Sequence, residues 1–530
     1  DWRIAHFPPN LWFRDEDYAQ SYDTVVGPFA GDWYDACMIY RDWATRQSWC
    51  AKGKTRDRKD IPEWSKYVPL HFYTQLGDSA TGTNDIHENQ RIAAADAAKW
   101  LTWSGSNLVF NWYGWSNPAA AGATENNWPG NSRRIRNRPG DRWTSFINRH
   151  SPFGNYPAQG ALPEMAAIVE TLRKSGGYVV PYLCATIYDD GSSENAPYAA
   201  KLKNGAARDL FGNVLFYENI GWNMCGWDST WQQRLTEESV AVIRQEHVAG
   251  VYLDTIHGMC QPCYWTPHGH SAAGASCGTL GMHRLLEQVY AGVKKDFPDA
   301  LLEGEDPAEN MIDVQDNILY QRNMRVENKV PLFAAVYGDY IPRSSVGKIQ
   351  LEDRFFYLEC ASMFVEGAQI GRLTLRPRPA AAVLDFDKPE HREHFTFLKQ
   401  VIDYYKLESA RRYLCLGQVL RPVSFLKPAT MPTVSYASDE TGETDSGATL
   451  AEAANSSFDV LQSGVFRAAD GSTGIFLVNV GKEGIEYAFE LKPYGEAAVR
   501  IAPDGGSTPI AGATVSGTLR PREITMYIVK

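Results

Sequence analysis

Short apolar runs alternate with segments of helical spacing along the first 410 or so residues, and this alternation constrains the fold more than any other feature. Typical runs are YVPLHFY (67–73), NLVFNWYGW (107–115) and GVYLD (250–254), and GVYLD precedes a stretch at 280–295 with a helical apolar stripe. Buried strands that alternate with helices form parallel βα units. About seven or eight such units predict an α/β fold, a TIM (β/α)8 barrel. In this interpretation VPLFAAVYGDY (330–340) is the sixth strand.

The character of the sequence changes after about residue 415. Segments such as GVFRAADGSTGIFLVNVG and REITMYIVK alternate apolar and polar residues around Gly and Asp turns, which is typical of an antiparallel β-sandwich. A chain of 530 residues also exceeds what one hydrophobic core usually serves. We therefore expect an N-terminal segment packing on the barrel at 1–60, the catalytic barrel at 61–414 and a C-terminal β-sandwich at 415–530.

Composition excludes several classes of function. The net charge is −11 with acidic residues spread along the chain, which argues against a nucleic-acid partner. No run approaches the roughly 18 apolar residues of a membrane helix, so no membrane partner is expected. Nucleotide-binding motifs are absent, and we expect no cofactor. The start DWRIAHFPPNLW shows no signal peptide and no initiator methionine, so we expect a processed, secreted or periplasmic bacterial protein.

Acidic residues stand where two consecutive predicted strands end. Asp254 ends GVYLD, and Glu303 and Glu305 lie in LLEGE at 301–305. Barrel enzymes place their chemistry at the carboxyl ends of the strands, and neighbouring strands lie about 4.8 Å apart. Carboxyl groups about 5–5.5 Å apart are the machinery of retaining glycosidases. A single Asp after a strand is as often a turn or cap residue, so the prediction depends on the pair.

The choice between the two glutamates follows from strand alternation. Alternation places Glu303 and Glu305 on the same side of the strand. One would be the acid and the other an acceptor for a sugar hydroxyl. We prefer Glu303 as the acid because it lies nearer the strand, which leaves Glu305 to bind substrate.

Further candidates for substrate binding lie after other predicted strands. Aromatic residues make up 12% of the chain, and aromatic faces suit sugar rings, although packing at the barrel rim is an equally good explanation for those after the second strand. The polar candidates would bind hydroxyl groups, and a plain surface histidine is an equally good reading of each His. The predicted substrate-binding residues are Glu305, Trp112, Tyr113, Trp115, Asp189, His257, His270 and Asp339.

A loop rich in cysteine and histidine follows Asp254. Its potential ligands are Cys260, Cys263, His268, His270 and Cys277. Such residues ligate zinc in many proteins, but this spacing matches no zinc finger. We therefore predict that the loop rims the substrate pocket and that the protein binds no metal.

Three segments of the sequence resemble a known group of enzymes. VYLDTIHG, CQPCYWTPHGHSAAGASCGTLGMHRLL and LLEGEDPAEN are similar to the barrel of the endo-α-N-acetylgalactosaminidase-like glycoside hydrolases, within the wider α-amylase-like barrels. The similarity covers most of the chain, but only the segments around Asp254 and Glu303 are specific. It implies a retaining α-glycosidase that acts on α-linked, galacto-configured oligosaccharides or polysaccharides. Asp254 would be the nucleophile and Glu303 the acid/base.

Two other functions remain open at this point. The first is a metal-dependent TIM-barrel hydrolase that uses the Cys/His loop together with Asp254. The second is a carbohydrate-binding barrel without catalytic activity. Metal analysis distinguishes the first from a glycosidase, and a screen with α-linked aryl glycosides distinguishes the second.

Overall fold

The computed structural model describes most of the chain. The described residues are 6–10, 12–15, 17–76, 86–116, 154–158, 160–188, 198–217, 221–256, 262–274, 276–320, 330–344, 349, 351–377, 383–428, 430–436 and 456–530. Asp189 and His257, both predicted to bind substrate, lie outside these residues.

Eight parallel strands form the sheet that the apolar runs predict. The strands up to residue 374 are β1 (Leu70–Gln75), β2 (Leu108–Tyr113), β3 (Gly177–Cys184), β4 (Ile187–Tyr188), β5 (Phe216–Tyr217), β6 (Gly221–Asn223), β7 (Gly250–Asp254), β8 (Leu301–Glu305), β9 (Asn317–Leu319), β10 (Arg343–Ser344) and β11 (Ile370–Thr374). The sheet has the order β10-β9-β8-β7-β3-β2-β1-β11, and β4, β5 and β6 form a small separate sheet. A parallel bridge between Ser344 and Gln369 links the two ends of the order. The predicted barrel fold is confirmed.

Helices follow the strands, as the alternation predicts. Their bounds are α1 (Trp33–Ala44), α2 (Ile86–Ser104), α3 (Met165–Lys174), α4 (Ala199–Leu202), α5 (Ser229–Glu246), α6 (Gly281–Asp296), α7 (Leu332–Tyr337), α8 (Asp353–Val365), α9 (Arg392–Lys406) and α10 (Glu408–Leu414). Helix α5 begins after Asp228, whose side chain accepts a hydrogen bond from Trp231 N, as an N-cap should. None of the described helices combines the length and the apolar character that a membrane crossing requires.

The predicted sixth strand at 330–340 is wrong. Its central residues form helix α7, Leu332–Tyr337, after Pro331, and the strand that follows β8 in the sheet is the short β9. A short apolar run does not by its spacing distinguish a strand from a buried helix. Proline before the first turn and the alanine pair at 334–335 favour the helix.

Antiparallel strands after residue 417 form the predicted sandwich. Their bounds are β12 (Gln418–Leu420), β13 (Thr433–Tyr436), β14 (Ser456–Asp459), β15 (Leu461–Arg467), β16 (Thr473–Asn479), β17 (Ile485–Glu490), β18 (Ala498–Ile501), β19 (Ser507–Ile510), β20 (Thr514–Leu519) and β21 (Ile524–Val529). A six-stranded sheet has the order β12-β15-β16-β21-β18-β19, and β17 pairs with β20. One core contains Ile475 and Tyr527 from the larger sheet and Phe489 and Val515 from the smaller. The core thus lies between two sheets.

The chain divides into two compact units, each built from several segments. The first unit contains Asp1–Phe29, Thr74–Ala98 and Phe110–Asp316, and the second contains Ala30–Tyr73, Lys99–Val109 and Asn317–Lys530. Asp254, Glu303 and Glu305 all belong to the first unit. The C-terminal sandwich belongs to the second. The predicted domain boundaries at 60 and 414 stay a prediction.

Candidate active site

The register between β7 and β8 decides which glutamate accompanies Asp254. Tyr252 pairs with Glu303 and Leu253 pairs with Gly304, so the next positions along the two strands are Asp254 and Glu305. Strand neighbours at the same level lie about 4.8 Å apart. Glu303 lies two residues earlier, about 6.6 Å deeper along the strand. The two acids at the same level are therefore Asp254 and Glu305.

Two tyrosine hydroxyls hold the carboxylate of Asp254. Tyr182 Oη donates to Asp254 Oδ2 at 2.7 Å, and Tyr252 Oη donates to Oδ1 at 2.9 Å. Burial, followed by the negative charge of Asp254, raises the pKa of Tyr182 well above its usual value. The hydroxyl therefore stays protonated and acts as a donor. Two such bonds, one to each oxygen, fix the orientation of the carboxylate.

Tyr113 completes an aromatic cluster with these two tyrosines. Its ring centroid lies 4.8 Å from that of Tyr182 and 6.0 Å from that of Tyr252, while those of Tyr182 and Tyr252 are 5.9 Å apart. Close packing limits the rotamers of all three rings. The hydroxyls of Tyr182 and Tyr252 thus have little freedom to leave Asp254.

Glu305 is an acid that its surroundings keep protonated. Its side chain is only 6% exposed, and its Oε2 accepts a hydrogen bond of 2.7 Å from Thr255 N. Burial, then the charge of Asp254 and hydrogen bonding with it, raise the pKa of Glu305 well above its usual value. An ionised acid beside a protonated acid is the division of roles that a nucleophile and a general acid require.

The backbone is strained immediately after each of these acids. Thr255 has φ 64° and Asp306 has φ 60°. Both lie in the left-handed region, which is uncommon outside glycine and rarest for β-branched residues such as Thr255. In this conformation the N–H of Thr255 points at Glu305. Thr255 Oγ1 donates a hydrogen bond to Asp254 O at 2.7 Å and lies 2.5 Å from Thr186 Oγ1. Strain of this kind persists where surrounding contacts hold it, which is common in active sites.

Glu303 lies deeper than the other two acids. It is 0% exposed, and its Oε2 accepts a hydrogen bond of 2.7 Å from Asn111 Nδ2. The prediction preferred Glu303 as the acid, whereas the structure brings Glu305 to the level of Asp254. The sequence could not reveal this difference because alternation alone treats residues 303 and 305 alike.

The predicted aromatic wall is mostly buried. Trp112 and Trp115 are 0% exposed, and Trp115 Nε1 donates to Tyr182 O at 2.8 Å while its ring packs against Tyr156. These positions agree with the alternative explanation, packing within the fold. Tyr113 reaches the candidate site through the tyrosine cluster.

The other polar candidates lie in different surroundings. Asp339 is 1% exposed and forms ion pairs of 2.8 Å with Arg41 and 2.7 Å with Lys54. These contacts occupy its oxygens, and Asp339 follows a helix and not a strand, so we leave it out of the proposed site. His270 Nε2 lies 3.3 Å from Cys225 Sγ, in a separate cluster of cysteine and histidine residues.

Sequence reasoning missed several residues of the site. Tyr252 had a usable signal, because it precedes Asp254 by two positions on the same strand and therefore faces the same side. Asn111 precedes Tyr113 in the same way. Tyr182 and Thr255 had no such signal, since their contacts depend on the pairing of β3 with β7 and on a left-handed backbone.

Comparisons of the sequence with known proteins find one family and one curated relative. The model of the family described as "Domain of unknown function (DUF6259)" matches residues 18–129 and 144–347. A protein of Bacteroides thetaiotaomicron named "Putative glycoside hydrolase" is 21% identical over 401 residues, which cover 74% of this chain and 52% of that protein. The chain thus spans about half the length of the curated relative that it matches.

Solved structures of amylases and an acetylgalactosaminidase have a similar fold. The noncanonic maltogenic α-amylase of Thermotoga neapolitana has a TM-score of 0.54 at 10% identity, over 87% of this chain and 98% of that chain. The α-N-acetylgalactosaminidase of Bifidobacterium bifidum, in a complex with Gal-NHAc-DNJ, has a TM-score of 0.51 at 11% identity, over 84% of this chain and 61% of that chain. At such identities the likeness concerns the fold alone.

Proposed function

We propose that this chain, which belongs to the family described as "Domain of unknown function (DUF6259)", is a glycoside hydrolase. It cleaves α-linked glycans with retention of configuration. The observation that carries the proposal is the pairing of Asp254, held by two tyrosine hydroxyls, with Glu305, whose pKa is raised by burial and by Asp254.

Each acid has one role in the proposed reaction. Asp254 attacks the anomeric carbon while Glu305 donates its proton to the departing glycosidic oxygen, which gives a glycosyl ester on Asp254. Glu305, now ionised, then takes a proton from water as that water attacks the same carbon and releases Asp254. The sequence prediction gave the acid role to Glu303, and the register favours Glu305. Glu303 would support the site from below through Asn111.

The closeness of the two acids supports retention. Inverting enzymes hold their carboxyl groups about 6.5–9.5 Å apart so that water fits between them, and retaining enzymes hold them about 5–5.5 Å apart. Asp254 and Glu305 lie at the same level of neighbouring strands, which are about 4.8 Å apart, and this placement belongs with the shorter separation. The α-linkage is proposed by analogy with the α-amylase and the α-N-acetylgalactosaminidase of similar fold, and with the resemblance of the segments around Asp254.

A panel of α-linked aryl glycosides and glycans tests the proposal with three matched variants. Asp254→Asn should reduce turnover by roughly 10³-fold or more, equivalent to about 4 kcal/mol of activation free energy. Glu305→Gln should be most damaging for substrates with poor leaving groups, because activated leaving groups need no proton. Glu303→Gln is the control and should retain more activity than Glu305→Gln on every substrate.

Two further measurements decide the mechanism. Azide should rescue Asp254→Asn or Glu305→Gln by forming a glycosyl azide, and proton NMR of the first sugar released should show the α-anomer. A β-anomer as first product would refute retention. Loss of activity in Glu303→Gln with near-normal activity in Glu305→Gln would reverse the roles of the two glutamates. A chain that binds α-linked glycans and turns over none of them would instead be a binding barrel.

A further inference from the structure

Four potential metal ligands lie together in the first unit, outside the group of acids. They are Cys225, Cys263, His268 and His270, all four are buried, and their ligand atoms all lie within 4.8 Å of one another. Asp254 does not belong to this group. A cluster of two thiols and two imidazoles is a complete ligand set for a tetrahedral ion.

The contacts within the cluster have the spacing of a coordination sphere. Cys225 Sγ lies 3.3 Å from His270 Nε2, and Cys263 Sγ lies 3.5 Å from His268 Nδ1. In a tetrahedral site with Zn–S of about 2.3 Å and Zn–N of about 2.0–2.1 Å, neighbouring ligand atoms lie about 3.4–3.8 Å apart. The four side chains would therefore need only small movements to enclose an ion.

Backbone carbonyls orient both imidazoles for binding. His268 Nε2 lies 2.6 Å from Asn204 O, and His270 Nδ1 lies 2.7 Å from Ser271 O. A carbonyl oxygen only accepts hydrogen bonds, so these two nitrogens carry the protons. The lone pairs of His268 Nδ1 and His270 Nε2 then face the thiols. This second layer of hydrogen bonds is what metal-binding histidines require, since it fixes the tautomer.

The ligands come from two separate parts of the chain. Cys225 follows strand β6 closely, while the other three ligands lie at 263–270, between β7 and α6. Cys225 and Cys263 share an apolar cluster with Ala207 and Cys277, and neither thiol forms a disulfide. An ion here would tie the long segment after Asp254 to the turn before α5.

We propose that Cys225, Cys263, His268 and His270 bind one Zn²⁺ in a closed structural site that fixes the segment after the candidate nucleophile. Two cysteines and two histidines in tetrahedral geometry are typical of structural zinc sites, and four protein ligands leave no position for water or substrate. The site therefore has a structural role. The sequence predicts no metal because the ligand Cys225 lies far from the others along the chain, while Cys260 and Cys277 obscured the pattern.

Metal content of the full-length protein tests the proposal without reference to activity. Protein purified from zinc-supplemented culture should hold about one zinc per chain, and Cys225→Ser and His270→Ala should each lower this content at least tenfold. Cys277→Ser is the matched control, because Cys277 packs beside two of the ligands but is not one of the four. Its Sγ accepts a hydrogen bond from Cys263 N and donates one to Gly274 O. This variant should keep its zinc, and so should Glu305→Gln, which changes the proposed general acid and none of the four ligands.

Measurements on the wild-type chain cover the case in which a variant does not fold. After removal of zinc with a chelator, Co²⁺ should restore one site with the intense visible bands of tetrahedral cobalt bound to thiolate. Titration with a mercurial reagent should release zinc as two thiols react. The proposal is overturned by wild-type protein without zinc, by an octahedral cobalt spectrum, or by a disulfide between Cys225 and Cys263 in the unreduced protein.

Discussion

Replacement of Glu305 by glutamine should change how the stability of the protein depends on pH. Glu305 is buried beside Asp254, and its pKa in the folded state lies well above the usual value of 4.5. Below pH 4.5 the carboxyl group is protonated in both the folded and the unfolded state and has no effect on the pH dependence. Above that pH the unfolded chain releases this proton while the folded chain keeps it.

The size of the effect follows from proton linkage. One proton held only by the folded state lowers the free energy of unfolding by about 1.4 kcal/mol for each unit of pH. The decline starts near pH 4.5 and ends where the folded protein releases the proton. Glutamine does not titrate, so Glu305→Gln should gain stability relative to wild type at that rate across the same window. Above the window the difference should be constant.

Urea denaturation of both proteins at pH values between 4 and 8 measures this difference. Tryptophan fluorescence and circular dichroism, followed in parallel, should report the same transition. Asp254→Asn serves as a companion variant, because it removes the neighbouring charge that raises the pKa of Glu305, and its window should end at a lower pH. A stability difference between Glu305→Gln and wild type that does not vary with pH would refute the reasoning, and Glu305 would lose its basis as a general acid.

Three more substitutions follow from contacts in the structure. Tyr182→Phe removes the 2.7 Å hydrogen bond to the candidate nucleophile Asp254. Because a hydrogen bond to a charged group contributes about 1.5–3 kcal/mol, kcat/KM should fall about 10- to 100-fold. An unchanged kcat/KM would contradict the role of this hydroxyl. Gly304→Ala would place Cβ 2.1 Å from Gln315 Oε1. Thermal denaturation should therefore show a free energy of unfolding lower by about 1–3 kcal/mol. Normal stability would mean that the Gln315 side chain moves freely. Asp339→Asn leaves the buried Arg41 without the charge of its partner, so the free energy of unfolding should fall by about 3–5 kcal/mol. An effect on KM alone would instead support the predicted role of Asp339 in substrate binding.

Long periodic segments of this sequence specify their structure well. The apolar stripe predicted within 280–295 is buried in helix α6, where Met282, Leu285, Val289 and Val293 face the core. The short run at 330–340 specifies less, since packing and not spacing decides between helix and strand there. A pattern thus specifies an element more strongly the more turns or residues it repeats over.

The candidate site could be predicted only to the level of neighbouring strand ends. The sequence places Asp254 on one strand and two glutamates on the next, but the choice between Glu303 and Glu305 is a matter of register, which depends on the hydrogen-bonded pairing of β7 with β8. The sequence likewise does not reveal that Cys225 is the partner of His270. Cys225 reaches it through the folding of distant segments, and no local spacing carries that information.

The left-handed backbone of Thr255 has a consequence for attempts to engineer this protein. A conformation of this kind costs a β-branched residue about 1–3 kcal/mol, and glycine would adopt it at no steric cost. Glycine at position 255 would therefore relieve this strain, and the side-chain contacts of Thr255 would be lost with it. The hydroxyl would then no longer meet Thr186, and the amide aimed at Glu305 would gain freedom to turn away. Variants that relieve the strain at Thr255 should therefore have lower turnover than the wild-type chain.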